Sequence, residues 1–357
     1  MKSTLIKKAS VSILNAALIQ PFRTALGQHD SLHNLLFRLQ LADGTIGWGE
    51  AAIATHITGE TFGKTLDNLR LAAEELPGKD VCDYPALSSR LHEQFEHNKS
   101  AVAAVETALL DALTRQLKIP LWKFFGNKPA KLATDITIVI ADLEETEESA
   151  RKFHKQGFRS FKVKIGRDRD LDLKRVLTVR KAAPGCAIYL DANQGYSAQD
   201  TLRFVKDLSR TGVTPALLEQ PVPREDWEGL KKVTRLSGIP VCADESVRTI
   251  PECLRAIRER SVQAINIKIM KSGLIQGREI ALLARSCGIE LMIGGMMESS
   301  LAMTASAHLA AGLGCFRYVD LDTPFFIKGG ITGNPCLNSK GIYDLTKIKA
   351  GVGIIPE

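Results

Sequence analysis

The sequence predicts an α/β protein in which a closed parallel barrel follows a small α+β unit. Two observations carry that expectation. From Ile136 onward, short apolar β-rich runs begin near Ile136, Phe161, Ile188, Ala216, Val241, Ile265, Leu291 and Tyr318. Each is followed by a helical stretch, and the spacing of about 25 residues is the size of one βα unit with a right-handed crossover. Eight such units argue for a closed barrel. The residues before Gly126 have a different texture, with long alternating strands followed by helices. At 357 residues the chain is long enough for such a barrel or for two domains.

The elements follow in order. Ser10–Ile19 and Asn34–Leu41 alternate like strands, and Asp43-Gly44 with Gly47-Trp48-Gly49 supplies turns, which gives an antiparallel opening. Residues Thr61–Leu76, Leu87–Glu96 and Ser100–Leu117 carry apolar side chains at three- and four-residue spacing, with Pro77-Gly78 and Ile119-Pro120 as stops. Lys7 to Gln28 has the charge and length of a signal peptide. Its apolar run is broken by Ser12, Asn15, Gln20 and Pro21, so it reads as a strand.

Composition narrows the class. The chain is 45% hydrophobic and 24% charged, which excludes disorder and disulfide mini-scaffolds. A net charge of +7 could mark a nucleic-acid binder, but acidic residues interleave with the basic ones and no zinc finger or ribonucleoprotein motif occurs. No nucleic-acid partner is expected. Seven cysteines without a C-x-x-C suit a reducing cytoplasm, and no run of 18 apolar residues predicts a membrane span.

The ends of the strands carry the chemistry. Lys162 and Lys164 stand on the second strand and Asp191 and Asn193 end the third. Glu219 closes the fourth, Asp244 and Glu245 the fifth, Lys268 the sixth, Gly294-Gly295 the seventh and Asp320-Leu321-Asp322 the eighth. A carboxylate after one strand can be a helix cap. The joint pattern is different, because barrel strands bring their C-terminal ends to one cavity. Burying that many charges without a ligand would be costly. Asp191, Glu219 and Asp244 come from successive strands, and three oxygen ligands suit Mg²⁺ with room for water and substrate. Lys162 and Lys164 are two residues apart and face the same side, with Lys268 across the barrel. A cation chelating a substrate carboxylate would leave one lysine on each side of the α-carbon. Neighbouring positive charge would bring a lysine down from its ordinary pKa of about 10.4 toward a working base.

The motifs Lys162-Val163-Lys164, Asp191-Ala192-Asn193-Gln194-Gly195, Glu219-Gln220-Pro221, Ala243-Asp244-Glu245-Ser246 and Asn266-Ile267-Lys268 together resemble the muconate-lactonizing subgroup of the enolase superfamily. A lysine base with magnesium is the known character of that superfamily. The resemblance covers essentially the whole chain. It implies a modified TIM barrel, (β/α)₇β, over about residues 126–320, with an α+β capping domain over 1–125 to which the C-terminal segment 321–357 returns. It also implies one Mg²⁺ per subunit on Asp191, Glu219 and Asp244, and a homo-oligomer.

The subgroup lactonizes, dehydrates, racemises and epimerises, so it does not select a reaction. Asp320 and Asp322 do. Two carboxylates on one face can hold an ammonium group, and the pair resembles that of the dipeptide epimerases, where it binds the free amino group. The resemblance then implies Lys164 and Lys268 as the two acid/base residues that invert the α-carbon of the C-terminal residue through an enediolate. Lys162 assists Lys164 and touches the substrate carboxylate, and Asn193 supports the metal side. Thr137, Gly295, Met296 and Met297 line the substrate, with Gly27, His56 and Ile57 in the capping loops. In Ala-Glu epimerases the run matching Phe22-Arg23-Thr24-Ala25-Leu26 precedes an arginine for the glutamate side chain, and here Gly27 follows instead. Without that guanidinium, an Ala-X dipeptide with a small, hydrophobic or polar-neutral second residue is the expected substrate. The alternatives are an L-Ala-D/L-Glu epimerase, a cycloisomerase or o-succinylbenzoate-synthase-like member, and a catalytically silent binding barrel. His154 and His308 read as structural.

Overall fold

In the opening strands, alternating apolar residues make a two-faced sheet. β1 (Ile6–Arg23) and β2 (Gln28–Leu41) form a long hairpin, with Ile6 opposite Leu41 and Arg23 opposite Gln28, and β3 (Ile46–Ala51) adds to β2. The computed structural model describes residues 3–25, 27–126, 131–329, 331 and 333–356. Gly47 and Gly49, expected in turns, lie within β3. A Cβ on Gly49 would fall 1.9 Å from the Ala104 carbonyl oxygen, and one on Gly47 2.1 Å from that of Ala108. They are small because a helix backbone passes over the strand, not because the chain turns.

Helices cover that sheet: α1 (Thr55–Thr58), α2 (Phe62–Glu75), α3 (Tyr84–Gln94), α4 (Lys99–Gln116) and α5 (Leu121–Phe125). Almost every residue of α4 is buried, from Ser100 to Thr114, because the sheet lies on one side and the barrel on the other. Pro85 in the first turn of α3 starts that helix three residues earlier than the apolar spacing indicated.

The barrel begins after β4 (Lys131–Ala133). Its strands are β5 (Ile136–Ile138), β6 (Ser160–Lys164), β7 (Ala187–Asp191), β8 (Leu217–Glu219), β9 (Val241–Ala243), β10 (Ala264–Ile267), β11 (Glu290–Ile293) and β12 (Tyr318–Val319). They are hydrogen-bonded in that order as one parallel sheet. The Asp135 N–H donates to the Val319 carbonyl at 2.9 Å and the Leu321 N–H to Thr134 Oγ1 at 2.7 Å, joining last strand to first. The modified TIM barrel with its capping domain is therefore the fold. Between the strands run α6 (Leu143–Gln156), α7 (Arg169–Ala182), α8 (Ala198–Ser209), α9 (Trp227–Leu236), α10 (Ile250–Glu259), the one-turn α11 (Ile269–Ser272), α12 (Leu274–Ser286) and α13 (Ser300–Leu313).

The chain then supplies β13 (Ile327–Lys328) to the edge of β1, and β14 (Ile342–Asp344) to β4. No helix among the described residues is long and apolar enough to cross a membrane.

His308 on α13 is a tie between these parts. Its Nδ1 accepts the Trp122 N–H at 2.8 Å and its Nε2 lies 3.0 Å from the Val352 carbonyl oxygen. Burial pushes its pKa down to about 4, the carbonyl opposing that only in part. Protonation would set a second N–H against the Trp122 donor. Because the folded pKa lies below the unfolded one, stability is full above about pH 6.5 and declines as pH falls toward 4. The difference in unfolding free energy between the wild type and His308→Asn, followed by urea titration, should shift against the wild type by about 3 kcal/mol across that range.

Candidate active site

Strand periodicity aims the lysines. On β6, Phe161 and Val163 face the helices, while Lys162 and Lys164 face inward and are at most 6% exposed. Lys164 is in register with Asp191, and Asp191 with Glu219, so these three ends stand side by side. Lys268 follows β10 in extended conformation. Three strands lie between β6 and β10 in either direction round the barrel, which places Lys164 and Lys268 on opposite walls.

Lys162 Nζ sits among three carboxylates: Asp320 Oδ2 at 2.7 Å, Glu219 Oε2 at 2.8 Å and Asp191 Oδ2 at 2.9 Å. Lys164 Nζ meets Asp191 Oδ2 at 2.6 Å and Asn193 Oδ1 at 3.1 Å, and Lys268 Nζ meets Asp244 Oδ2 at 2.8 Å. The strand ends are held by unusual backbone. Asn193, Gln194 and Gln220 have positive φ, and the Gln220 side chain accepts the N–H groups of Asp244 and Ser246 at 3.0 and 3.1 Å. That locks the loop carrying Asp244 to the loop carrying Glu219.

Charge shapes the acidities. Burial raises Glu219 to about 7, aided by Asp191 and opposed by Lys162. For Asp191 burial acts upward too, but Lys162 and Lys164 outweigh it and hold the carboxyl well below its ordinary range. Lys268 is displaced upward: burial works against its charge, and Asp244 more than compensates. The direction is opposite to the one expected for a working base. The expected lowering depends on positive charge next to the lysines, whereas the protein alone surrounds them with carboxylates.

Lys162, Lys164, Asn193 and Lys268 open into a cavity of about 580 Å³, with Thr137, Gly295, Met296, Met297, Asp320 and Asp322 also on its walls. Its roof comes from the cap, through Phe22, Thr24, His29, Ala54, His56 and Ile57. Gly27 is not among the lining residues. It lies in the turn of the β1–β2 hairpin, where its carbonyl accepts the Thr24 N–H at 2.9 Å, and Thr24 and His29 take the place expected for it.

Two family descriptions match: the mandelate racemase/muconate lactonizing enzyme N-terminal domain over residues 8–126 and the enolase C-terminal domain-like family over 145–357. The chain belongs to the mandelate racemase/muconate lactonizing enzyme family. It is an isomerase of that family. A hydrophobic dipeptide epimerase of Citrifermentans bemidjiense is 49% identical with 98% of each chain covered. An aromatic dipeptide epimerase of Herpetosiphon aurantiacus is 41% identical with 91% of each covered. A dipeptide epimerase of Enterococcus faecalis, solved with Mg and L-Leu-L-Tyr, superposes with a TM-score of 0.94 at 31% identity, covering 98% of this chain and 99% of that one.

The family's metal has a fitting donor set here. Each of Asp191, Glu219 and Asp244 has one oxygen tied to the scaffold: Asp191 Oδ1 by the Asn193 N–H at 2.9 Å, Glu219 Oε1 by the Asn266 amide at 2.8 Å and Asp244 Oδ1 by Lys271 at 2.7 Å. The second oxygens all face ammonium groups. Glu219 Oε2 and Asp244 Oδ2 are buried, and each is met by a lysine ammonium at 2.8 Å, Lys162 and Lys268 respectively. Such oxygens, held in place and offered to positive charge, suit a divalent cation.

Several residues escaped the sequence reading. Asp135, with neither oxygen hydrogen-bonded among the described residues, clusters with Asp320 and Asp322 within 4.8 Å. Its place two residues before Thr137, on the same strand face, was the available clue. Glu50 of β3, which carried no motif, is buried beneath the Met296–Ser299 loop. It accepts from Asn34 at 2.7 Å, from the Ser299 N–H at 2.9 Å and from the Ser299 hydroxyl, while Asn34 also donates to the Met297 carbonyl. The cap thus fixes the wall carrying both methionines. Glu50→Ala should leave those donors unpaired and cost about 2–4 kcal/mol in denaturant unfolding.

Proposed function

We propose that the protein is a Mg²⁺-dependent dipeptide epimerase that inverts the α-carbon of the C-terminal residue of Ala-X dipeptides, with X hydrophobic or otherwise neutral. The observation that carries this reading is the placement of Lys164 and Lys268 on opposite walls of one cavity, with Asp320 and Asp322 on a third side. Two lysines facing each other can remove a proton from one side of a carbon and return one to the other, which is inversion. The names of the relatives support a dipeptide as the substrate.

Asp191, Glu219 and Asp244 would hold the cation. Bound Mg²⁺ would supply positive charge beside the substrate carboxylate and so lower the cost of taking the α-proton. Lys162, already among Asp191, Glu219 and Asp320, would orient the carboxylate end. The Asp320–Asp322 pair, with Asp135 behind it, would take the ammonium group. Burial and the Asp320 charge raise Asp322 to about 7, an energetic tension that an ammonium ligand relieves.

The second side chain would meet Phe22, His29, His56, Ile57, Met296 and Met297. No arginine stands among the described lining residues. Arg23 belongs to a separate groove, where it bonds Gln28 at 2.8 Å. That favours a neutral residue over glutamate.

Lys164→Ala and Lys268→Ala should each abolish epimerisation, while α-proton exchange with solvent persists only for the configuration served by the surviving lysine. Unchanged turnover in either variant contradicts the mechanism. Asp320→Asn and Asp322→Asn should each lower kcat/KM roughly 10- to 100-fold for free dipeptides. A cycloisomerase or dehydratase substrate without an amine would be turned over undiminished.

A further inference from the structure

Of the three carboxylates in the candidate metal set, Asp244 alone has its scaffold-side oxygen held by a charged side chain. Lys271 Nζ lies 2.7 Å from Asp244 Oδ1, 2.5 Å from the Asp244 carbonyl, 3.0 Å from that of Asn266 and 3.2 Å from that of Val247. An ammonium has three N–H donors, so every donor is engaged by acceptors fixed at the ends of β9 and β10. Lys271 is 3% exposed and sits on α11, three residues after Lys268.

One carboxylate therefore lies between two lysines of different character. Lys268 meets Oδ2 and faces the cavity, where a substrate would draw it away from Asp244. Lys271 meets Oδ1 and is anchored by three backbone carbonyls that no ligand would disturb.

We propose that Lys271 is a positioning residue that fixes Asp244 as a one-oxygen ligand for the divalent cation. It does so by holding Oδ1 so that Oδ2 stays aimed at the cation when Lys268 leaves. This rests on the reading of Asp191, Glu219 and Asp244 as the Mg²⁺ ligands. Partners that orient a ligand from behind affect metal affinity about 10- to 100-fold, and the absence of Lys271 would free Asp244 to rotate toward Lys268.

The test is Mg²⁺ titration by calorimetry into the full chain stripped of metal, without substrate. Lys271→Met should weaken Mg²⁺ binding about 10- to 100-fold, and saturating Mg²⁺ should restore most of kcat because Lys268 is untouched. A purely structural role would lower the melting temperature and leave the Mg²⁺ affinity where it was. A folded Lys271→Met protein that binds Mg²⁺ within about twofold of the wild type overturns the proposal. Should that variant not fold, Lys271→Gln, which is shorter and uncharged, is expected to lose affinity in the same direction, and unchanged affinity there overturns it equally. A wild-type protein that binds no Mg²⁺ overturns the metal reading, and this inference with it. Wild-type binding with unaffected variants overturns the inference alone.

Discussion

The site is governed by buried carboxylates that outnumber the ammonium groups placed among them. Asp135, Asp191, Glu219, Asp244, Glu245, Glu298, Asp320 and Asp322 are all buried about the barrel mouth, against Lys162, Lys164, Lys268 and Lys271. Such an excess cannot be ionised throughout without a large cost. The strain shows as carboxyls displaced upward: Glu219 to about 7 and Glu245 and Glu298 to about 8, burial being the first cause in each. A site in this condition favours cationic ligands. A divalent ion and a substrate ammonium are the two that the proposed chemistry brings.

The rest of the architecture serves to keep those groups apart by fixed distances. Register along β6, β7 and β8 sets the row of Lys164, Asp191 and Glu219. Gln220 ties two loops at an unfavourable backbone angle, and that cost is borne by four hydrogen bonds from one side chain. The cap contributes through Glu50, whose carboxylate holds the methionine wall from the far side of the domain junction. The proposed chemistry thus falls to residues of the barrel, while the shape of the cavity roof comes from Phe22, Thr24, His29, His56 and Ile57 of the cap.

Much of this was legible in the chain itself. The barrel could be read because parallel strands buried on both faces form apolar runs at a regular spacing, and because ionisable residues at their ends are conspicuous there. Lys162 and Lys164 could be placed by strand alternation, and Lys268 by its position at the end of the sixth strand. Gly47 and Gly49 misled, since glycine marks both turns and close helix approach, and only the path of α4 distinguishes them. His29 and Glu50 gave no local pattern: their roles arise from contacts with His56 across the cavity roof and with Ser299 across 249 positions of chain. Lys271 was hidden by its neighbour, because the motif that ends in Lys268 stops three residues short of it. Gly27 lies in the hairpin turn of the cap, between Thr24 and His29, which line the cavity while it does not.

Inversion by the two lysines is tested most directly by proton exchange of the wild-type protein with Mg²⁺ in D₂O. Ala-X dipeptides would be mixed with it, and deuterium at the second α-carbon counted by mass spectrometry. One deuteron is expected at that carbon in dipeptides with hydrophobic or neutral second residues, little in Ala-Glu, and none without Mg²⁺. Failure of every dipeptide to exchange would contradict it.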